Sequence, residues 1–281
     1  IGGSKWMYAG QWLEWSFEVE ESGWYVIAPR YKQTAYSGGY VSRRLILDGK
    51  VPFAQAEAIR FNYADRWTVQ PLGGDSGAYR FYLEKGKTHT LRLQVTLGDM
   101  APVIEQVRDI LNALNEDYLR ILVITGSTPD LYRDYNFQAL VPETIEDFRK
   151  QAAALEAVIS GIQQETGMKG EFTSILQNTL VTLRKIEKDP ESIAKYFQML
   201  KDNLAAYGTW LQQAQQQPLD IDCFYVVPQG KEMPKAGGSF WSAVVFHVKA
   251  FVLSFLEDYQ SVAAGITEED LAGGNVVDTW I

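Results

Sequence analysis

The stretch GQWLEWSFEVEESGWYVIAPRYKQTAYSGGYVSRRLILDG, residues 10–49, decides the fold. Leu13, Trp15, Phe17 and Val19 alternate with Glu14, Ser16 and Glu18. A period of two means a strand with one buried face. Glu21-Ser22-Gly23 supplies turn residues, Gly23 being free to take positive φ. A second strand follows over residues 24–31, with Tyr25, Ile27 and Tyr31 on one side. A loop over residues 34–39 leads to a third strand, residues 40–47, which stops at Asp48-Gly49. Three antiparallel strands in this span begin a β-sandwich.

Working outward, residues 1–9 lead into these strands and residues 50–65 read as an irregular crossover. Further strands are expected over 66–72, 79–83 and 88–97, the last two joined by a hairpin at Glu84-Lys85-Gly86-Lys87. At Gly98 the period changes to 3.6, with Val103, Ile104, Val107, Ile110, Leu111, Leu114 and Tyr118 on one helical stripe. Thr128-Pro129-Asp130 pairs a capping residue with Pro at a first helical position, so a helix is expected to start there. Another follows Pro142 and ends near Gly167, and Phe172 to Ile186 marks the next. Asp189-Pro190-Glu191 opens the last, whose stripe runs from Ile193 to Leu211. Short connections make this an antiparallel up-and-down bundle. The strand pattern then returns over residues 219–227.

Residues 239–259 are apolar nearly all round but carry His247 and Lys249 near the middle. A membrane span avoids central charge, so a packing helix over 237–260 is expected, with no transmembrane span. The acidic, Gly-rich residues 261–281 read as a linker, and the chain as a piece of something longer.

The formal net charge is −9, which argues against a nucleic-acid partner, because phosphate binding rests on Lys and Arg. A single cysteine, Cys223, excludes a disulfide framework and a Cys-cluster zinc site. The two histidines, His89 and His247, lie in unlike contexts, and no HExxH, GxSxG, GxGxxG or P-loop motif occurs. Glu14 and Glu18 form a carboxylate pair of the kind a glycosidase uses, but on the outward side of a strand. Asp130 and Asp134 read as helix N-terminal charge rather than metal ligands. No catalytic site follows from these residues, and no cofactor is expected. Aromatic content is 13%, so some rings are available for stacking on the C–H faces of sugars.

Val19, Gly23, Tyr25, Arg30, Tyr31, Leu45, Leu47, Asp48 and Gly49 sit in a pattern that resembles carbohydrate-binding modules with a galactose-binding-like jelly-roll fold. YRFYLEKGKTHTLRLQV, residues 79–95, matches the hairpin near the end of such modules. Their closing strand normally follows soon after, whereas here its match is residues 219–227. The implied fold is therefore α+β: a β-sandwich jelly roll (residues 1–99 with 218–236) into which a helical bundle (100–217) is inserted. By the same resemblance Tyr36, Tyr40 and Trp67 are platform residues for a sugar at the loop edge, and Arg43 is a polar partner. The family's calcium ligands lie in an N-terminal strand that this sequence lacks, so calcium is unsupported.

The order YVSRRLILDGKVPF, FYLEKGKTHTLRLQVTLGDMAP, VITGSTPDLYRDY, QPLDID, KAFVLSFLEDY and VVDTWI is similar to the N-terminal part of very large extracellular solute-binding proteins of ABC transporters in Firmicutes. That likeness implies a lipoprotein-anchored, cell-surface parent, a transporter permease as partner, and an oligosaccharide or polysaccharide as ligand. Two readings stay open: a non-catalytic glycan-binding module, or a scaffold that positions a downstream solute-binding domain.

Overall fold

The computed structural model describes residues 1–74, 77–167 and 169–232. The expected apolar helix over 237–260, the linker over 261–281 and the VVDTWI segment lie outside the described residues.

The alternating segments form strands as their patterns require. In chain order these are β1 (Trp12–Phe17), β2 (Gly23–Gln33), β3 (Tyr40–Leu47), β4 (Ile59–Asn62) and β5 (Ala64–Val69), then a tiny hairpin of β6 (Gly73–Gly74) and β7 (Gly77–Ala78). β8 (Phe81–Leu83) and β9 (His89–Thr96) follow. One sheet has the order β1-β9-β3-β4. The other has β10-β2-β5, with β8 also on β2. Here β10 (Asp220–Pro228) is the strand that comes after the helices, and it pairs antiparallel with β2. The two sheets share one core: Trp15 meets Phe224 edge-to-face at 4.6 Å, and Tyr31 meets Phe61 at 5.1 Å. The architecture is α+β, with antiparallel sheets face to face and a helical bundle between β9 and β10 in sequence.

Two local expectations are corrected. The crossover over 50–65 contains β4, which pairs with β3 from Tyr40↔Asn62 to Arg43↔Ile59. And Thr128-Pro129 does not start a helix. Residues 126–136 form a loop in which Asp130 and Asp134 accept bonds from the backbone N–H of Tyr132 and Asn136, two residues on. The Asp130 N–H donates to the Tyr135 hydroxyl at 2.9 Å, which closes the loop on itself.

The bundle consists of α1 (Met100–Thr125), the single turn α2 (Phe137–Leu140), α3 (Pro142–Thr166), α4 (Glu171–Lys188) and α5 (Ile193–Gln215). α3 starts on its proline and ends at Gly167, whose φ of 67° provides the left-handed stop. The long helices form a ring, α1 and α4 each lying between α3 and α5. Each buries the apolar stripe read from its sequence, for example Ile104, Val107, Ile110, Leu114 and Ile121 of α1. Among the described residues no helix is long and apolar enough to cross a membrane.

Bundle and sandwich meet at the loop between β2 and β3. The Phe172 N–H of α4 donates to the Ser37 carbonyl at 3.2 Å. Gly38 and Gly170 touch backbone to backbone, and a Cβ on Gly38 would stand 2.6 Å from the Gly170 nitrogen. Only glycine permits that approach, and Gly38 also has a φ of 79°. Beside this contact Arg60 of β4 bonds both Asp99, just before α1, and Glu165 of α3.

Candidate functional site

Tyr36, Tyr40 and Arg43 do not form a rim platform with Trp67; all three are buried. The Tyr36 ring packs on Phe172 at 4.8 Å, and Phe172 on Trp210 at 5.1 Å. Its hydroxyl faces the carbonyls of Gln213 and Gln216 at the end of α5, 2.6 Å from the latter, and burial pushes its pKa up. Tyr40 lies beneath the Arg60 guanidinium (5.0 Å), and burial pushes its hydroxyl up to about 12. Arg43 is 0% exposed. It alternates with Val41 and Leu45 and shares their inward side, opposite Val95 of β9. Its guanidinium donates to the carbonyls of Ser42, Trp6 and Gln217, and stacks on the Trp6 ring at 4.1 Å. No carboxylate pairs with it among the described residues, and burial lowers its pKa to about 9. The loop expected to hold sugar is therefore occupied by the bundle.

Trp67 is different. It stands 38% exposed on β5, on the outer face of the β10-β2-β5 sheet. β2 sends Tyr25, Ile27, Pro29, Tyr31 and Gln33 into the core, so Trp24, Val26, Ala28, Arg30 and Lys32 face outward. Strand register fills in the rest of that face. Cys223 lies opposite Arg30, Tyr225 opposite Ala28 and Val227 opposite Val26. Val69 lies opposite Arg30 from the other side, and Tyr82 opposite Trp24. Directly opposed residues share a face.

Two aromatic ends result. At one, the Arg30 guanidinium lies 5.4 Å over the Trp67 ring and pairs with Asp222. The buried Arg30 Nε has no partner among the described residues. At the other, Trp24 and Tyr82 meet edge-to-face at 5.5 Å, being 54% and 53% exposed. An exposed ring beside a guanidinium and a carboxylate offers an apolar plate, donors and acceptors in one place. Cys223, the thiol on this face, has its pKa raised by burial, which disfavours the reactive thiolate. Among the described residues no group of His, Cys, Asp and Glu is arranged to hold a metal ion. Glu14 pairs with Arg92 at 2.9 Å and Glu18 accepts from the Thr88 hydroxyl, so each is a surface partner rather than half of an acid pair.

Sequence reasoning did not single out Trp24, Tyr82, Arg30, Asp222 and Tyr225 as candidate site residues. The signal for Trp24 and Arg30 was present, since placing Tyr25, Ile27 and Tyr31 inward puts Trp24 and Arg30 outward by the same alternation. For Asp222 it was not, because a bulge between Ile221 and Cys223 breaks the alternation there.

Residues 102–214 match the family described as bacterial solute-binding protein, 4-helix bundle domain, which covers α1 to α5 and less than half of the 281 residues. That family is one of non-catalytic binding proteins. No curated protein matches the chain. Among solved structures the chain is similar to a family 35 carbohydrate binding module from Clostridium thermocellum, at 18% identity and a TM-score of 0.25. The likeness covers 32% of this chain and 61% of that one. At that TM-score the fold rests on the strand pairing itself.

Proposed function

We propose that this chain is a non-catalytic, carbohydrate-binding part of a bacterial solute-binding protein, displayed outside the cell, where it gathers oligosaccharide for an ABC transporter. In this reading the sandwich (1–99 with 218–236) is the binding module and the inserted bundle (100–217) is its mount. The observation that carries it is the outer face of the β10-β2-β5 sheet, where Trp67 stands exposed against the Arg30–Asp222 pair. The bundle match supports the solute-binding context. Stacking on a flat ring removes only part of a sugar from water, so the affinity expected is modest. The charges of the site pair with each other, so binding should depend little on salt.

Trp67→Ala tests this. Removing a stacked ring should cost about 1–3 kcal/mol of affinity by the scale of apolar burial, with little change in melting temperature. Calorimetric titration with glycans bound on an array, and a melting curve for each protein, read both quantities. A large drop in melting temperature with unchanged glycan affinity would refute the assignment.

A second reading is favoured by the junction. Gly38 against Gly170, Tyr36 under the end of α5 and Arg60 between Asp99 and Glu165 fix the two parts rigidly. A scaffold that positions a downstream domain needs that rigidity, whereas a sugar module alone does not. Absence of any glycan binding by the intact chain would favour it.

A further inference from the structure

The outer sheet face carries aromatic groups at both ends of β2, and this bears on the size and charge of the ligand. Arg30 and Trp24 are six residues apart on one strand, about 20 Å at the usual rise per residue. Trp67 marks the Arg30 end and Tyr82 the Trp24 end. Between them the outward residues of β2 are Val26 and Ala28, and those of β10 are Tyr225 and Val227. No charged side chain faces out from either strand in this interval, and the half-buried Tyr225 ring lies midway. The charges of these strands lie beyond it: Arg30 pairs with Asp222, and Lys32 lies opposite Asp220 in register. A bound chain therefore meets Val26, Tyr225 and Val227 along this interval, Ala28 beneath them being 0% exposed. Trp24, Trp67 and Tyr82 are three of the five exposed large aromatic side chains among the described residues, with Tyr8 and Tyr132.

We infer that this face binds the linear chain of a neutral polysaccharide, laid along β2 and touching both aromatic ends, rather than one terminal sugar. The inference rests on the carbohydrate-binding reading above. A single ring reaches one end only; a chain long enough to span the strand engages both, and its second contact adds to the first. An uncharged chain is expected because β2 and β10 present no charged side chain between the two aromatic ends, and the Arg30 guanidinium at the Trp67 end is already paired with Asp222.

The test is titration of the intact protein with cello-, xylo- and malto-oligosaccharide ladders of one to six units, in low and high salt. In the ladder that binds, affinity should rise at least tenfold from the disaccharide to the hexasaccharide, without salt dependence. Trp24→Ala and Trp67→Ala should each weaken the hexasaccharide about tenfold, and should leave melting temperature within a degree or two. Equal affinity for short and long members would overturn the spanning chain while leaving sugar binding in place. So would a preference for acidic oligosaccharides that fades in salt. Loss of melting temperature in Trp24→Ala, with hexasaccharide affinity intact, would mean that protein covers that ring, and would overturn it too. No binding to any ladder or to a polysaccharide array would overturn both this inference and the reading beneath it.

Discussion

Tyr36 separates the sequence expectation from the structural finding most sharply. Its hydroxyl is buried at the junction, 2.6 Å from the Gln216 carbonyl and also facing that of Gln213. The change Tyr36→Phe removes the donor and keeps the ring against Phe172. Leaving buried carbonyls without it should cost about 1–3 kcal/mol. For a protein of this size each kcal/mol lowers the melting temperature by about 2–4 °C, so a fall of roughly 2–12 °C is expected. Thermal unfolding followed by circular dichroism measures it, alongside titration with whichever oligosaccharide the native protein binds. Affinity should not change, because the site lies on the other side of β2's sheet from the junction loop. If Tyr36→Phe weakened sugar binding and left the melting curve in place, Tyr36 would be a platform residue after all and the junction argument would fail.

Two further changes probe the interior. Gly38→Ala forces a side chain into a left-handed φ and against the Gly170 nitrogen, and should destabilise by more than about 2 kcal/mol in chemical denaturation, with sugar affinity unchanged. Asp117 of α1 is 1% exposed; burial first, and then Asp147 of α3, raise its pKa to about 6, against bonds from Thr144 and Arg120. In the unfolded chain it titrates near 4, so between about pH 4 and pH 6 the folded state holds more protons and stability falls as pH rises. Asp117→Asn should therefore gain up to about 3 kcal/mol at neutral pH and flatten the difference in stability between pH 4 and pH 7, measured by denaturation at each pH.

Much of the fold was legible because strands and helices announce themselves locally. β1, β2, β3 and β9 follow alternation, the helices follow the 3.6 period, and Pro142 and Gly167 bracket α3 as their backbone preferences require. What was not legible depends on partners far away in sequence. β4 has only four residues, and its identity as a strand rests on pairing with β3. Thr128-Pro129 has the local signature of a helix start, but the Tyr135 hydroxyl and two aspartates take the backbone bonds that a helix would use. Tyr36, Tyr40 and Arg43 have the composition of a sugar site. Their burial follows from where the bundle docks and where Trp6 and Gln217 fold back, which no local pattern records.

The choice of face can be argued from the contrast between the sandwich's two outer surfaces. On the β1-β9-β3-β4 sheet the outward ring is Trp12, and it is already covered: the Arg92 guanidinium lies 4.0 Å above it, while the same group holds Glu14 at 2.9 Å. Arg44 is likewise held by Glu57. A sugar arriving there would have to displace an ion pair to reach a ring. At the loop end it would have to displace the bundle, breaking the Phe172–Ser37 backbone bond and the Tyr36–Phe172–Trp210 contacts. On the β10-β2-β5 sheet Trp24 and Tyr82 are each more than half exposed. There Arg30 reaches over Trp67 at the longer distance of 5.4 Å, with that ring still 38% exposed. Insertion of the bundle thus closes the loop end of the sandwich and leaves this sheet face with the more exposed strand rings, Trp24 and Tyr82 meeting each other and water at one end.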